Sequence, residues 1–158
     1  MKKINWGIIG LGHIANQFAN AFSIIDNAKI KGIASFDKDK LQSFKKRFNI
    51  NDKLCFDNYK DLILSPSIDI IYIALPNSLH AKYISECINQ KKNILVEKPA
   101  FINLKDLSFL KSELQKEKIF FTEAFMYRYL PYFKKVKEIV ENNFLGKIVN
   151  IHSTFNIK

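Results

Sequence analysis

The sequence predicts an α/β domain built on a doubly wound parallel sheet, followed by the start of a second, α+β domain. Three observations carry this. Short apolar runs alternate with amphipathic helical segments from residue 4 to residue 122. Residues 69–75, Asp-Ile-Ile-Tyr-Ile-Ala-Leu, are almost continuously apolar, as suits a central parallel strand covered on both faces. The pattern changes near residue 123, and residues 147–158 alternate strictly between apolar and polar positions, the mark of a half-buried antiparallel strand.

The first element is a strand over 4–9. It ends in Gly10-Leu11-Gly12 and passes straight into a helix over 13–25, whose stripe is Ile14, Ala15, Phe18, Ala19, Phe22 and Ile25. Residues 29–35 supply the second strand of the βαβ unit. A helix over 38–48 follows, with Asp37 as its cap. A very short strand at 54–56 and a helix over 58–64 come next, with Asp57 as the expected cap. The apolar strand 69–75 leads to a helix over 78–90. A strand at 93–97 leads to a helix over 104–116, where Asn103 and Asp106 resemble a capping box. A last strand falls near 118–122. Order and alternation predict a parallel, doubly wound sheet.

Beyond residue 122, Pro131 suits the first turn of a helix over 131–143, with Phe133, Val136, Ile139 and Val140 as its apolar face. In 147–158, Val149, Ile151, Ser153, Phe155 and Ile157 point one way, and Asn150, His152, Thr154 and Asn156 the other. Such a strand needs a partner. The expectation is a boundary at 122/123, with residues 123–158 beginning a second domain that the chain does not complete. The alternative is that the strand folds back onto the first sheet.

Composition narrows the function classes. The chain has 158 residues, 47% of them hydrophobic, and a formal charge of +10. The excess lysine is spread over helix surfaces rather than interleaved with aromatics in one stripe, so a solvated surface is expected and no nucleic-acid partner. No apolar run is long enough to span a membrane. The first strand begins at residue 4, so no signal peptide is expected, and Cys55 and Cys87 have neither metal nor redox spacing. A cytoplasmic protein with two reduced, packed thiols is expected, and no metal site.

The motif with the clearest chemistry is Gly10-Leu11-Gly12-His13-Ile14-Ala15. Gly10 allows the tight turn off the strand. Gly12 lets the backbone approach a pyrophosphate, and Ala15 lets helix and strand pack closely. The helix start at His13 and Ile14 offers free N–H groups and a positive dipole end to an anion. The alternative is a plain glycine turn between a strand and a helix. Further polar residues fall where parallel strands end, which is where open α/β sheets bind ligands. Asn77, His80, Glu97, Lys98, Glu123, Tyr127 and Arg128 should converge on the edge that carries Gly10. Each also has a structural reading. Asn77 could cap a helix, His80 could be a packing residue, Glu97 and Lys98 a neighbouring charge pair, and Arg128 a partner for Glu123.

Four segments taken together resemble the glucose–fructose oxidoreductase, inositol dehydrogenase and MocA family of NAD(P)-dependent oxidoreductases, most closely its dihydrodiol dehydrogenase-like branch. They are Gly7-Ile8-Ile9-Gly10-Leu11-Gly12-His13-Ile14-Ala15, Ala74-Leu75-Pro76-Asn77-Ser78-Leu79-His80, Glu97-Lys98-Pro99, and Glu123-Ala124-Phe125-Met126-Tyr127-Arg128. The resemblance implies the cofactor-binding half of a two-domain enzyme with a Rossmann-type first domain. Its reaction would be hydride transfer between nicotinamide and a secondary alcohol of a sugar, cyclic polyol or dihydrodiol. It implies cofactor contacts from Gly10, Leu11, Gly12, His13, Ile14, Ser35, Leu75, Pro76, Asn77, His80, Glu97, Lys98 and Arg128, with Lys98 as the catalytic candidate. A homo-oligomer formed through the C-terminal sheet is implied as well. The family's histidine acid/base lies beyond residue 158, and His152 does not take its place, so the 158-residue chain alone is expected to be inactive.

The cofactor could be NAD or NADP. Ser35 stands where NAD-preferring relatives place an acid, which favours NADP, but Phe36 replaces the arginine of NADP-preferring relatives. Lys38 or Lys40 could supply that charge. The rival readings are a non-catalytic NAD(P)-binding subunit or sensor, and a cofactor-free interaction domain.

Overall fold

Six strands build one sheet: β1 (Ile4–Ile9), β2 (Ala28–Ala34), β3 (Cys55–Phe56), β4 (Ile70–Ile73), β5 (Asn93–Val96) and β6 (Phe121–Glu123). The helices between them are α1 (His13–Asn20), α2 (Lys38–Phe48), α3 (Tyr59–Leu64), α4 (Asn77–Asn89) and α5 (Leu104–Lys116). The computed structural model describes residues 3–154 and divides them into two units, the first ending at Ala124 and the second beginning at Phe125.

Every strand pair is parallel, and the order is β3-β2-β1-β4-β5-β6. The chain starts in the middle at β1, builds outward to β3, then crosses back to lay β4 on the other side of β1. This is the doubly wound sheet expected from the sequence. The reversal of direction puts a crevice between the loops that leave β1 and β4.

Side chains alternate across the central strands, so each face feeds its own core. Ile9, Ile71, Ile73, Ile94 and Val96 pack with α3, α4 and α5. Ile8, Ile33 and Tyr72 pack with Ala15 and Ala19 of α1 and Leu41 and Phe44 of α2. All four residues of β4 are buried. Burying an aliphatic side chain of this size is worth about 1.5–3 kcal/mol, so the central strand anchors both layers.

The caps follow the sequence with one correction. Asp37 accepts from the Lys40 N–H at 3.0 Å, and Asn103 accepts from the Asp106 N–H at 2.9 Å while its amide donates to Asp106 Oδ2 at 2.8 Å. The third helix is capped by Asn58, not Asp57. The chain turns helical one residue later than expected, so Asn58 accepts from the Asp61 N–H at 2.9 Å. The helix expected over 13–25 ends at Asn20 and tightens into a 3₁₀ turn over Ala21–Ile24. That turn keeps Phe22 against Trp6 and Phe18, with ring centroids 5.9 and 5.3 Å apart.

The second unit contains a 3₁₀ turn, Met126–Tyr129, and α6 (Pro131–Glu141) with proline in its first turn. Tyr127 packs on Phe133, centroids 5.3 Å apart, while Val136 and Val140 stay about half exposed. The strand expected over 147–158 is not formed over 147–154, and residues 155–158 lie outside the described residues. A strand's N–H and C=O groups need a ladder partner, and no strand among the described residues pairs with this segment. Cys55 and Cys87 are free thiols. Among the described residues no helix is long and apolar enough to cross a membrane.

Candidate functional site

The crevice between β1 and β4 is closed at its base by direct contact of the two loops. The Ala74 N–H donates to the Ile9 carbonyl at 2.9 Å, while the Gly10 N–H ties the same turn to the end of β2 by donating to the Ala34 carbonyl at 3.2 Å. Gly10 has φ +85°, and a Cβ there would collide with the Ala74 carbonyl and lie 2.7 Å from Leu75 Cδ2. Only glycine fits this turn. Gly12 is the opposite case. Its φ is −81°, and apart from its chain neighbours nothing among the described residues lies within 4 Å of where its Cβ would be. The fold does not need glycine here, and the space is open.

Gly12 is also the N-cap of α1, with no side chain capping the helix and no acid in its first turn. The first N–H groups of α1, at His13 and Ile14, are therefore left to water or a ligand. Ala15 is fully buried against the sheet, as expected, and Leu11 turns its side chain into the core, so its backbone forms the loop. Asn16 braces the turn by donating to the Gly12 carbonyl at 3.0 Å and accepting from Arg47 at 3.2 Å. His13 is exposed, with Nε2 2.9 Å from Gln17 Nε2.

Ser35 follows β2 and is nearly buried, at 4% exposure. Its Oγ accepts from the Asp37 N–H at 3.1 Å, so the hydroxyl proton stays available to donate. Phe36 is 63% exposed and packs edge-on against Tyr59 at 4.6 Å. Asp37 lies below the usual carboxylate range, first because it accepts from the Lys40 N–H and then through the Lys40 ammonium, 3.1 Å away. Lys40 is thus tied to Asp37. A recess of about 290 Å³ between the first turns of α1 and α2 is lined by Leu11, Asn16, Asp39, Lys40, Ser43 and Phe44. Two larger recesses, of about 800 and 720 Å³, are lined by none of the expected site residues.

At the ends of β4, β5 and β6 the polar groups are more closely wired than the sequence reading anticipated. Leu75 is buried, Pro76 is the N-cap of α4, and Asn77 is already in the helix, so Asn77 is not a cap. Its amide is exposed and has no hydrogen-bond partner among the described residues. Glu97 does not pair with Lys98. It accepts from the Tyr72 hydroxyl at 2.5 Å, while its N–H continues the ladder to Ile73. Lys98 is exposed and its ammonium has no ion pair among the described residues. Glu123 accepts from the Ala100 N–H at 2.8 Å.

His80 corrects the expectation most sharply. It is fully buried, with Nδ1 2.8 Å from the Pro99 carbonyl and Nε2 2.8 Å from the Leu75 carbonyl. Neither nitrogen is free to meet a ligand. The first unit thus brings Gly10, Gly12, His13, Ile14, Ser35, Asn77, Glu97, Lys98 and Glu123 to the carboxyl edge of one sheet. Arg128 is exposed in the 3₁₀ turn of the second unit, its N–H donating to Phe125 at 3.1 Å. The tie from Tyr72 to Glu97 was missed. Its signal was a phenol within an aliphatic strand, where a buried hydroxyl requires a partner. Among the described residues no cluster of His, Cys, Asp and Glu could hold a metal ion.

Comparison with known proteins agrees with this geometry. The model of an oxidoreductase family, NAD-binding Rossmann fold, matches residues 4–125. A glucose-6-phosphate 3-dehydrogenase from Bacillus subtilis is 34% identical over 98% of this chain and 42% of its own length. A trans-1,2-dihydrobenzene-1,2-diol dehydrogenase from Xenopus tropicalis is 28% identical over 97% of the chain and 46% of its own length. Among solved structures, a variant of a 3-ketoreductase from Actinomadura kijaniata, in complex with TDP-benzene and NADP, superposes with a TM-score of 0.82 at 26% identity. That match covers 93% of this chain and 45% of the enzyme. The chain spans about half the length of the curated relatives it matches.

Proposed function

Because this chain belongs to the oxidoreductase family with an NAD-binding Rossmann fold, we propose that it is the cofactor-binding part of a dehydrogenase or reductase acting on CH–OH groups. The substrate class is a secondary alcohol of a sugar, cyclic polyol or dihydrodiol. The observation that carries this reading is the open space over Gly12, beside an uncapped helix start, at the reversal point of the sheet. A pyrophosphate fits such a cradle, because the α1 dipole offers it counter-charge and the N–H groups of His13 and Ile14 offer it donors.

In this reading Gly10, Leu11, Gly12, His13 and Ile14 hold the pyrophosphate through the backbone. Ser35 donates to the ribose, or to a 2′-phosphate. Leu75, Pro76 and Asn77 border the nicotinamide end, where the Asn77 amide is free to donate. Lys98 is the catalytic residue. Its exposed ammonium donates to the substrate oxygen and stabilises the alkoxide-like charge that this oxygen carries once its proton is lost. Glu97 acts through Tyr72 in ordering the end of β5. A bound nicotinamide supplies the hydride chemistry, and the protein supplies position and electrostatics.

NADP(H) binds at least as well as NAD(H), since no acid replaces Ser35 and the Asp37 carboxylate is already matched by Lys40. Self-association of the whole protein through a C-terminal sheet, and a cytoplasmic location, belong to the same proposal. Titrating the chain with NADPH and NADH, read by nucleotide fluorescence, tests it. Saturable binding of NADPH, no weaker than that of NADH, is the expected result. A tenfold preference for NADH, about 1.4 kcal/mol, overturns the NADP assignment, and binding of neither overturns the whole reading.

A further inference from the structure

We infer that His80 and Glu123 are positioning residues that clamp the Lys98–Ala100 loop from two sides and so fix where the Lys98 ammonium is presented. This rests on reading the carboxyl edge of the sheet as the nucleotide site. His80 comes from the first turn of α4, yet both of its ring nitrogens meet backbone atoms outside that helix. Its diverging nitrogens lie 2.8 Å from carbonyls on two loops, Leu75 after β4 and Pro99 after β5; a carbonyl only accepts, so a doubly protonated ring donates to both and a neutral ring to one of them. From the other side Glu123, the last residue of β6, accepts from the Ala100 N–H at 2.8 Å.

The two bonds fall on consecutive residues. Pro99 has no N–H to give, so its carbonyl is its only backbone hydrogen-bonding group, and His80 takes it. The next N–H, that of Ala100, goes to Glu123, and the Ala100 side chain is fully buried. Before the loop, Glu97 is fixed through its N–H to Ile73 and its carboxylate to Tyr72. Glu97, Pro99 and Ala100 are thereby each fastened, whereas the Lys98 side chain is exposed and its ammonium has no ion pair among the described residues. A histidine kept merely to fill the core would not need both nitrogens on loops that leave two different strands at the same edge. A carboxylate at the end of an edge strand would ordinarily face water.

Amide hydrogen exchange on the full chain without nucleotide tests the clamp, using His80→Asn, Glu123→Ala and Glu123→Gln. The glutamine keeps an oxygen acceptor. Exchange at Ala100 is expected to rise about tenfold or more in His80→Asn and Glu123→Ala, with β1 and α1 unchanged and Glu123→Gln close to wild type. Unchanged exchange at Ala100, or an equal rise throughout the first unit, overturns the proposal. Should His80→Asn fail to fold, Glu123→Ala and its glutamine rescue decide the matter. A second arm compares ADP with NADH. Loss of NADH affinity of about fivefold or more, with ADP binding kept, supports the clamp, and equal loss of both overturns it. A wild-type chain that binds neither nucleotide refutes the nucleotide reading, while the exchange arm still decides whether the loop is clamped.

Discussion

The Tyr72 hydroxyl donates to Glu97 Oε1 across 2.5 Å, joining β4 to the residue that immediately precedes Lys98. Tyr72 is 1% exposed, so the bond satisfies a phenol that has no access to water. Tyr72→Phe keeps the ring against Phe18 and removes only the donor. The expected cost is about 1.5–3 kcal/mol, the range for a bond to a charged group, measured as a lower denaturation midpoint at unchanged m. A variant as stable as wild type would mean that the bond contributes nothing net.

Gly10→Ala should destabilise much more than its small change in size suggests. The φ of +85° alone costs a residue with a Cβ about 1–2 kcal/mol, and the clash with the Ala74 carbonyl adds to it. Urea denaturation should show a loss above about 2 kcal/mol, on the scale of a strained backbone combined with overpacking. A loss under 1 kcal/mol would mean that the turn can relax, against the contact seen here.

Most of the fold was legible in the sequence, because the apolar runs and capping residues repeat the period of each element. Asp37, Asn103 and the Ile70–Ile73 run each point to one local structure. Asp57 and Asn58 did not, since both side chains can cap and only the backbone entering α3 chooses between them. The strand at 147–158 read clearly as a pattern, but a pattern of exposure needs a partner before it becomes a strand. At the site, the glycines were legible because their requirement is local. The roles of His80 and Glu123 were not, because their partners are backbone atoms of a loop 19 and 23 residues away. No spacing rule records which carbonyl a buried imidazole will meet.

Alkaline pH should weaken the fold. Burial holds the Cys87 thiol well above its usual 9.0, and burial followed by the bond to Glu97 holds Tyr72 above its usual 10.0. Burial raises Cys55 in the same direction. The native state therefore keeps protons that the unfolded chain releases, and unfolding free energy falls as pH rises. The stabilisation is complete below about pH 9 and declines above it, with a limiting slope of about 1.4 kcal/mol per pH unit for each group. Cys87→Ala is less stable at neutral pH but declines less steeply. Stability that stays flat between pH 8 and 10.5 would contradict this.

Lys98→Met should leave stability within about 0.5 kcal/mol of wild type, because the side chain is exposed and unpaired among the described residues. In any form of the protein that turns over substrate, kcat should fall about 10²-fold, on the scale of losing one preorganised electrostatic group. The cofactor Kd should change only a few-fold, since the Gly10–Gly12 loop holds the pyrophosphate. A kcat within a few-fold of wild type would withdraw the catalytic assignment.

Gly12→Ala asks most directly whether the open space beside α1 is where the nucleotide phosphates lie. Apart from its chain neighbours, the added methyl meets nothing among the described residues within 4 Å, and the backbone is not in the left-handed region. The denaturation midpoint should therefore stay within about 0.5 kcal/mol of wild type. The methyl occupies the approach to the helix start, so affinity for NADPH and for ADP-ribose should drop at least about tenfold, 1.4 kcal/mol. An alanine variant that is equally stable and binds both nucleotides as tightly as wild type would contradict the placement of the cofactor at this edge.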